Sequence, residues 1–532
     1  MKSTPLTFFS SSATAVVAPA IIPQPLELKN LEGLIELNPE AKLSYADAKA
    51  ESVAQLIASQ LRTATGYSLP VASGTDGLIV FKTVDDDTLG SEGYTLKVDN
   101  QVHIFAPTQA GLFYGGQTLR QLLPAEISSI EVTEANWIIP AVEIRDMPRF
   151  DWRGLHLDVS RHFMPKEDVL KFIDTMAAFK FNTLHLHLTD DQGWRIEIKK
   201  YPKLTEIGST RSGTLIGHYL QNDETKQFDS VPHGGYYTQD DLREFVAFAA
   251  ERNITVVPEI DIPGHSQAAI AAYPELGCTD EPVELRKTWG ISEYILNPEE
   301  STIEFYKDIF TEILDIFPSK FIHVGGDEAL KTQWENSPRI QQLRKERGLK
   351  DMHEMQNWFI QQFDDFLTKN GRRMIGWDEI GDDPGLSQSA AIMWWRSDEG
   401  KAAAVNTTKS KRDIVVASHI NLYFDYYQGP KDEEPLAIGE MLTLKQVYSF
   451  DPVIPELQDN SEQILGAQGQ LWREYLPTTE SVEYMAHPRS CALAEILWLP
   501  NEKKNFEDFL ERMKNQEARF DAAGVNYRKI DR

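Results

Sequence analysis

Eight short apolar segments constrain this chain more than any other feature. They fall at about 153–160, 183–189, 254–260, 321–325, 373–377, 391–395, 413–418 and 465–471. Amphipathic stretches separate them, which is the pattern of a parallel sheet covered by helices. Pro165–Lys180 puts Val169, Leu170, Ile173, Met176 and Ala177 on one helical face, with Pro165 at the first helical position. Another stretch opens at Thr238, an N-cap residue, and lines up Leu242, Phe245, Val246 and Ala249. Eight such units predict an α/β fold, a (β/α)8 TIM barrel, which needs about 250 residues or more. The connections after the fourth and seventh strands are long, as loops that build a pocket must be.

The barrel does not use the whole chain. From Ile21-Ile22-Pro23 to about Pro140, short apolar runs alternate with polar turns. Leu78–Phe81 and Tyr94–Val98 read as strands, and Asp99-Asn100 turns the second into Val102–Phe105 as a hairpin. Ala46–Leu61 and Leu112–Leu123 read as helices. The expected order is a small α/β domain over 21–142, the barrel over 143–504 and a C-terminal helix over 505–532 that packs on the barrel. Residues 1–20, with Lys2, a broken apolar run and Ala18-Pro19-Ala20, read as a leader or a disordered start. A leader would favour a periplasmic or extracellular location over a cytoplasmic one.

Composition removes several function classes. Lys and Arg total 53 against 81 Asp and Glu, a net charge of −28. That opposes binding to nucleic acid or to an anionic membrane surface. No apolar stretch of about 18 residues is present, so no membrane insertion is expected. Cys278 and Cys491 are too far apart for a metal-spaced pair and read as buried thiols.

In a (β/α)8 barrel the chemistry sits at the carboxyl ends of the strands. Here those ends carry Asp158 to Arg161, Asp190 to Trp194, Glu259 to His265, His323 to Glu328, Trp377 to Glu379, Trp395-Arg396, Tyr423 to Asp425 and Trp472 to Glu474. One such group alone would be an ordinary core or turn residue. Eight strand ends bearing carboxylates, aromatics, Arg and His on one rim suit a sugar: rings stack on the pyranose and charged groups bond its hydroxyls. Glycoside hydrolysis needs a carboxylic acid for the leaving oxygen and stabilisation of an oxocarbenium-like centre. His185 and His187 share a strand face but have no third ligand at suitable spacing, so they read as core histidines and no metal is expected.

The segments Arg153 to Phe163, Asp190 to Trp194, Pro263-Gly264-His265, Gly325 to Glu328, Gly376 to Glu379 and Leu471 to Glu474 together resemble glycoside hydrolase family 20, the β-N-acetylhexosaminidases. The resemblance runs from about residue 22 to the C-terminus and includes the small N-terminal domain. It implies an exo-acting retaining enzyme without a cofactor, acting on carbohydrate with a terminal N-acetylhexosamine. It makes Glu328 the general acid/base and gives the nucleophile's part to the substrate's own acetamido carbonyl. By the same resemblance Asp327 orients the acetamido N–H and Tyr423 bonds its oxygen. Arg161 and Glu474 hold the outer hydroxyls with help from Asp425, and Trp377, Trp395 and Trp472 box the acetamido methyl and the ring. Asp190 and His265 form a relay behind Glu328, with Asp261 behind the site. Gln468 stands where some relatives carry an acid, which bears on support of the site rather than on the reaction.

These roles carry electrostatic demands. Glu328 must hold a proton near neutral pH, so desolvation and neighbouring carboxylates should raise its pKa, while Asp327 must stay ionised. Two other readings remain in the same family: a disaccharide-releasing lacto-N-biosidase and a hydrolase for sulfated sugars. A reading of another class, a non-catalytic sugar-binding barrel, should lack Asp327, Glu328 or Tyr423, and all three are present.

Overall fold

The computed structural model describes residues 19–279, 281–381 and 383–531. The leader expectation for residues 1–20 lies almost wholly outside them. Eight parallel strands close into a barrel in sequence order: β1 (Trp152–Asp158), β2 (Thr183–His187), β3 (Thr255–Glu259), β4 (Phe321–His323), β5 (Arg373–Trp377), β6 (Ala391–Trp394), β7 (Ile414–Val416) and β8 (Ile464–Gly469). All eight expected strands are present, most of them shorter by a residue or two.

Helix formation follows local chemistry. Lys166–Ala178 buries Val169, Phe172, Ile173, Met176 and Ala177 against the barrel, while Leu170 is half-buried. Pro165 stands one residue before the first turn rather than within it. Thr238 caps Gln239–Glu251 through a reciprocal box with Asp241, which satisfies two otherwise unpaired N–H groups.

Before the barrel lies a seven-stranded mixed sheet with two helices packed against it, Glu51–Thr65 and Gln109–Leu122. Both helices were expected, the first five residues too early. Asp47 bonds the Thr83 N–H, and Asp47-Ala48-Lys49 form a turn rather than a first helical turn. The Tyr94–Val98 and Val102–Ala106 hairpin is present in antiparallel register. The outer strands Glu27–Glu36 and Ile138–Asp146 were not expected; the first is mostly exposed and lacks the apolar run that marks a strand.

A buried ionic cluster joins sheet and barrel. Asp146 meets Lys180 Nζ at 3.0 Å, the Tyr94 hydroxyl at 2.6 Å and Trp498 Nε1 at 2.7 Å. The C-terminal helix Phe506–Ala523, capped by Asn505, contributes to the same junction. Arg512 forks onto Glu495 at 2.6 and 2.7 Å, and Arg519 donates to the Gln121 and Leu123 carbonyls of the small domain. Cys491 is buried and Cys278 only half-buried, with no disulfide between them. Among the described residues, no helix is long and apolar enough to cross a membrane.

Candidate active site

The carboxyl end of β4 is built by two glycines. Gly325 and Gly326 have φ of +66° and +101°, in the left-handed region. A Cβ on Gly325 would lie 1.6 Å from Asp261 Oδ1, so only glycine fits there. This turn swings Asp327 and Glu328 over the barrel mouth. Glu328 itself has φ +47° and His265, on the loop after β3, has φ +49°. Such angles cost a non-glycine residue of order 1–3 kcal/mol and cluster at functional sites.

The two strained residues meet. His265 Nε2 lies 3.4 Å from the Glu328 carboxyl and 3.6 Å from that of Asp327, and its Nδ1 faces Asp190 at 3.1 Å. Asp190 also accepts from His187 Nε2 at 2.9 Å and pairs with Arg161 at 2.9 Å. Burial opposes ionisation of Asp190, yet Arg161 and His265 hold it well below the usual carboxylate range. Burial likewise opposes a charge on His265, but Asp190, Asp191 and Glu328 keep it protonated well above an ordinary histidine. A cationic imidazole therefore faces both carboxylates.

Of the two adjacent carboxylates, Asp327 is the more buried. Its side chain is 11% exposed against 30% for Glu328. Burial raises its pKa to about 6, with Glu328 and Glu259 adding to the shift and His265 opposing it. Asp327 is ionised, as its expected role demands, only above that pH.

Arg161 forms the far wall. It pairs with Asp158 at 3.0 Å, lies 3.8 Å from Glu474 and stacks 4.9 Å over Trp472. The aromatic residues meet as expected: Trp377 and Trp472 are 5.7 Å apart, and Trp395 lies parallel to Tyr423 at 6.2 Å and 18°. Burial pushes the Tyr423 hydroxyl well above its usual range, so it remains a donor. Burial also raises Asp425 well above the carboxylate range, and it raises Glu474. Among the described residues, the buried oxygens Asp327 Oδ1, Asp425 Oδ1 and Glu474 Oε2 have no hydrogen-bond partner, and buried acceptors require donors. Arg161, Asp190, His265, Asp327, Glu328 and Glu474 thus form one polar network, Trp377, Trp395, Tyr423 and Trp472 an aromatic cluster against it, and Asp425 lies within electrostatic reach of Glu474 and Arg161.

Sequence reasoning missed the layer under the pocket. Glu259, fully buried, accepts from Trp377 Nε1 at 2.9 Å and His187 Nδ1 at 2.5 Å, with His185 and His323 nitrogens at 3.1 and 2.9 Å. The expectation that His185 and His187 have no third ligand-type partner fails in space. His156, His185 and Glu259 lie close enough to hold an ion, as do three further groups around Glu259, Asp261 and His265. At the distances given, however, Glu259 serves as hydrogen-bond acceptor for its neighbours. Gln468 lies in the same layer, 2.9 Å from His185 Nδ1. Asp158, which fixes Arg161 and accepts from the Ser160 and Arg161 backbone N–H groups, was also unassigned. Its signal was its place at the end of β1.

Comparison with known proteins identifies the family. The profile for glycosyl hydrolase family 20, catalytic domain, matches residues 150–501, and that for domain 2 of the family matches residues 18–147. The chain belongs to glycosyl hydrolase family 20. It is 41% identical over 513 residues to a β-hexosaminidase of Porphyromonas gingivalis, covering 95% of this chain but 64% of that protein's length. A β-hexosaminidase of Vibrio furnissii is 35% identical over 91% of this chain and 77% of its own. The solved family 20 β-N-acetylhexosaminidase of Streptomyces coelicolor A3(2) superposes with a TM-score of 0.85 at 30% identity, covering 96% of this chain and 98% of that one. A variant Streptomyces plicatus β-hexosaminidase solved with its product GlcNAc gives 0.86 at 29% identity, covering 98% of each chain. As a family 20 member the chain is a glycoside hydrolase built on a TIM barrel.

Proposed function

We propose that this chain is an exo-acting, retaining β-N-acetylhexosaminidase that removes terminal non-reducing N-acetylglucosamine or N-acetylgalactosamine. The observation that carries this reading is the sharing of one imidazole by Asp327 and Glu328. In a double displacement by two enzyme carboxylates, acid and nucleophile stand on opposite faces of the sugar. Two carboxylates that both approach His265 Nε2, at 3.6 and 3.4 Å, line one side of it. The nucleophile is therefore the substrate's acetamido carbonyl, which attacks the anomeric carbon as the glycosidic bond breaks.

Each residue then has a defined task. Glu328 protonates the departing oxygen and afterwards removes a proton from the water that opens the oxazolinium-type intermediate. Asp327 accepts from the acetamido N–H and stabilises the positive charge that develops there. Tyr423 donates to the acetamido oxygen and keeps it aimed at the anomeric carbon. Trp377, Trp395 and Trp472 enclose the acetyl methyl and the ring. Arg161, Asp425 and Glu474 bond the outer hydroxyls. Arg161, locked to Asp158 and Asp190, closes the pocket beyond them and favours removal of one terminal sugar over release of a disaccharide. Asp190 and His265 steady the acid.

A thiazoline analogue of the cyclic intermediate tests the route. It should bind at least about 100-fold more tightly than the substrate, as transition-state and intermediate mimics do. Inhibition no stronger than by N-acetylglucosamine itself would overturn the substrate-assisted reading. Release of N-acetylglucosamine from chitobiose and aryl glycosides checks the activity directly.

A further inference from the structure

A cavity of about 780 Å³ opens beside Glu328 and Trp395, lined in part by Lys331, His353, Glu379 and Arg396. It adjoins the acid, and Arg161 closes the other end of the site, so a leaving group that takes the proton of Glu328 departs into this cavity. Glu379 is placed to meet it. Its Oε2 accepts from Trp395 Nε1 at 3.0 Å, and Trp395 lies parallel to Tyr423. Its other oxygen stands 3.4 Å from Arg396, whose shorter contact, 2.5 Å, is to Asp378. Glu379 therefore lines the cavity with one oxygen committed to Trp395 and the other held only by the longer contact to Arg396.

We propose that Glu379 is a specificity-determining residue for the leaving group, hydrogen-bonding a hydroxyl of the departing sugar through one carboxyl oxygen while the other fixes Trp395. This rests on the hexosaminidase reading above. The charges around Glu379 support it. Asp327 and Glu328 stand at the end of β4, with Lys331 following, and Asp378 is its own neighbour. Arg396, Asp398 and Glu399 come from the segment after β6, His353 from helix Met352–Lys369 and His419 from the segment after β7. Burial first, then Asp327 and Asp378, push Glu379 up to about 8, against the pull of Arg396 and the Trp395 hydrogen bond. Below that pH it is a donor, and above it only an acceptor.

Glutamine mimics the protonated acid, because its carbonyl accepts from Trp395 and its amide donates. The test compares the unaltered enzyme, Glu379→Gln and Glu379→Ala on chitobiose and on 4-nitrophenyl N-acetylglucosaminide, from pH 5 to 9.5. The unaltered enzyme should lose kcat/KM on chitobiose as pH rises through about 8, and Glu379→Gln should lack that limb while matching the parent at pH 6. Glu379→Ala should raise KM for chitobiose about tenfold at pH 6, the size of one lost hydrogen bond, and should raise KM for the aryl substrate, which lacks the sugar hydroxyl, about threefold or less. An unchanged alkaline limb in Glu379→Gln, or equal losses on both substrates in Glu379→Ala, would overturn the proposal. Failure of the unaltered enzyme to release N-acetylglucosamine from either substrate would instead overturn the activity on which it rests.

Discussion

Replacing Glu328 by Gln should lower kcat/KM on chitobiose by about 10³-fold, within the 10²–10⁴ that a positioned general acid supplies. A sugar alkoxide is a poor leaving group and needs the proton. A 2,4-dinitrophenolate does not, so kcat/KM for the dinitrophenyl glycoside should fall about tenfold or less. Its kcat should still drop, because the same carboxylate activates water in the second step. Steady-state kinetics on the two substrates separates these effects, and near-parental turnover of chitobiose would sink the assignment of Glu328 as acid. A uniform loss on both substrates in kcat/KM would also count against it, since it would mean that the variant harms binding rather than proton delivery.

Asp327→Asn should cost about 10²–10³-fold in kcat, the usual size of a lost electrostatic contact to developing charge. Here the loss should be similar for chitobiose and the dinitrophenyl glycoside, because the acetamido group must attack in both cases. The pH dependence gives a second signature. Burial holds Asp327 at about 6 in the free enzyme, and only its ionised form faces the cation. On the acid side, activity of the unaltered enzyme should therefore decline as pH falls through about 6. The residual activity of Asp327→Asn should show no such acid limb. If both proteins decline together through pH 6, another group titrates there and the role given to Asp327 is wrong.

The sequence carried the barrel because its strands are short apolar runs bounded by polar rims, a pattern that survives without tertiary information. Strand ends are where a barrel places chemistry, so Asp327, Glu328, Tyr423 and Trp472 stood out by position as candidates. The exposed strand Glu27–Glu36 was hidden because its pairing with Ile138–Asp146 joins residues a hundred positions apart and leaves little apolar signal. Glu259 and the histidines around it were hidden for the opposite reason. His185, His187 and Glu259 are legible as polar residues of short strands, but only closure of the barrel brings β2, β3 and β4 into one layer. The relative burial of Asp327 and Glu328 was equally unreadable, because adjacent residues share a sequence environment but not a solvent environment.

The left-handed turns at Glu328 and His265 bear on how this protein can change over time. Both residues occupy backbone angles that glycine or asparagine would adopt at lower cost, so replacement by either relaxes the chain as it removes the carboxyl or the imidazole. Selection for robustness alone would erode the acid and its partner first, and only continued demand for turnover keeps them in place. A search for stabilised descendants of this enzyme that ignores activity should thus return inactive barrels with intact cores.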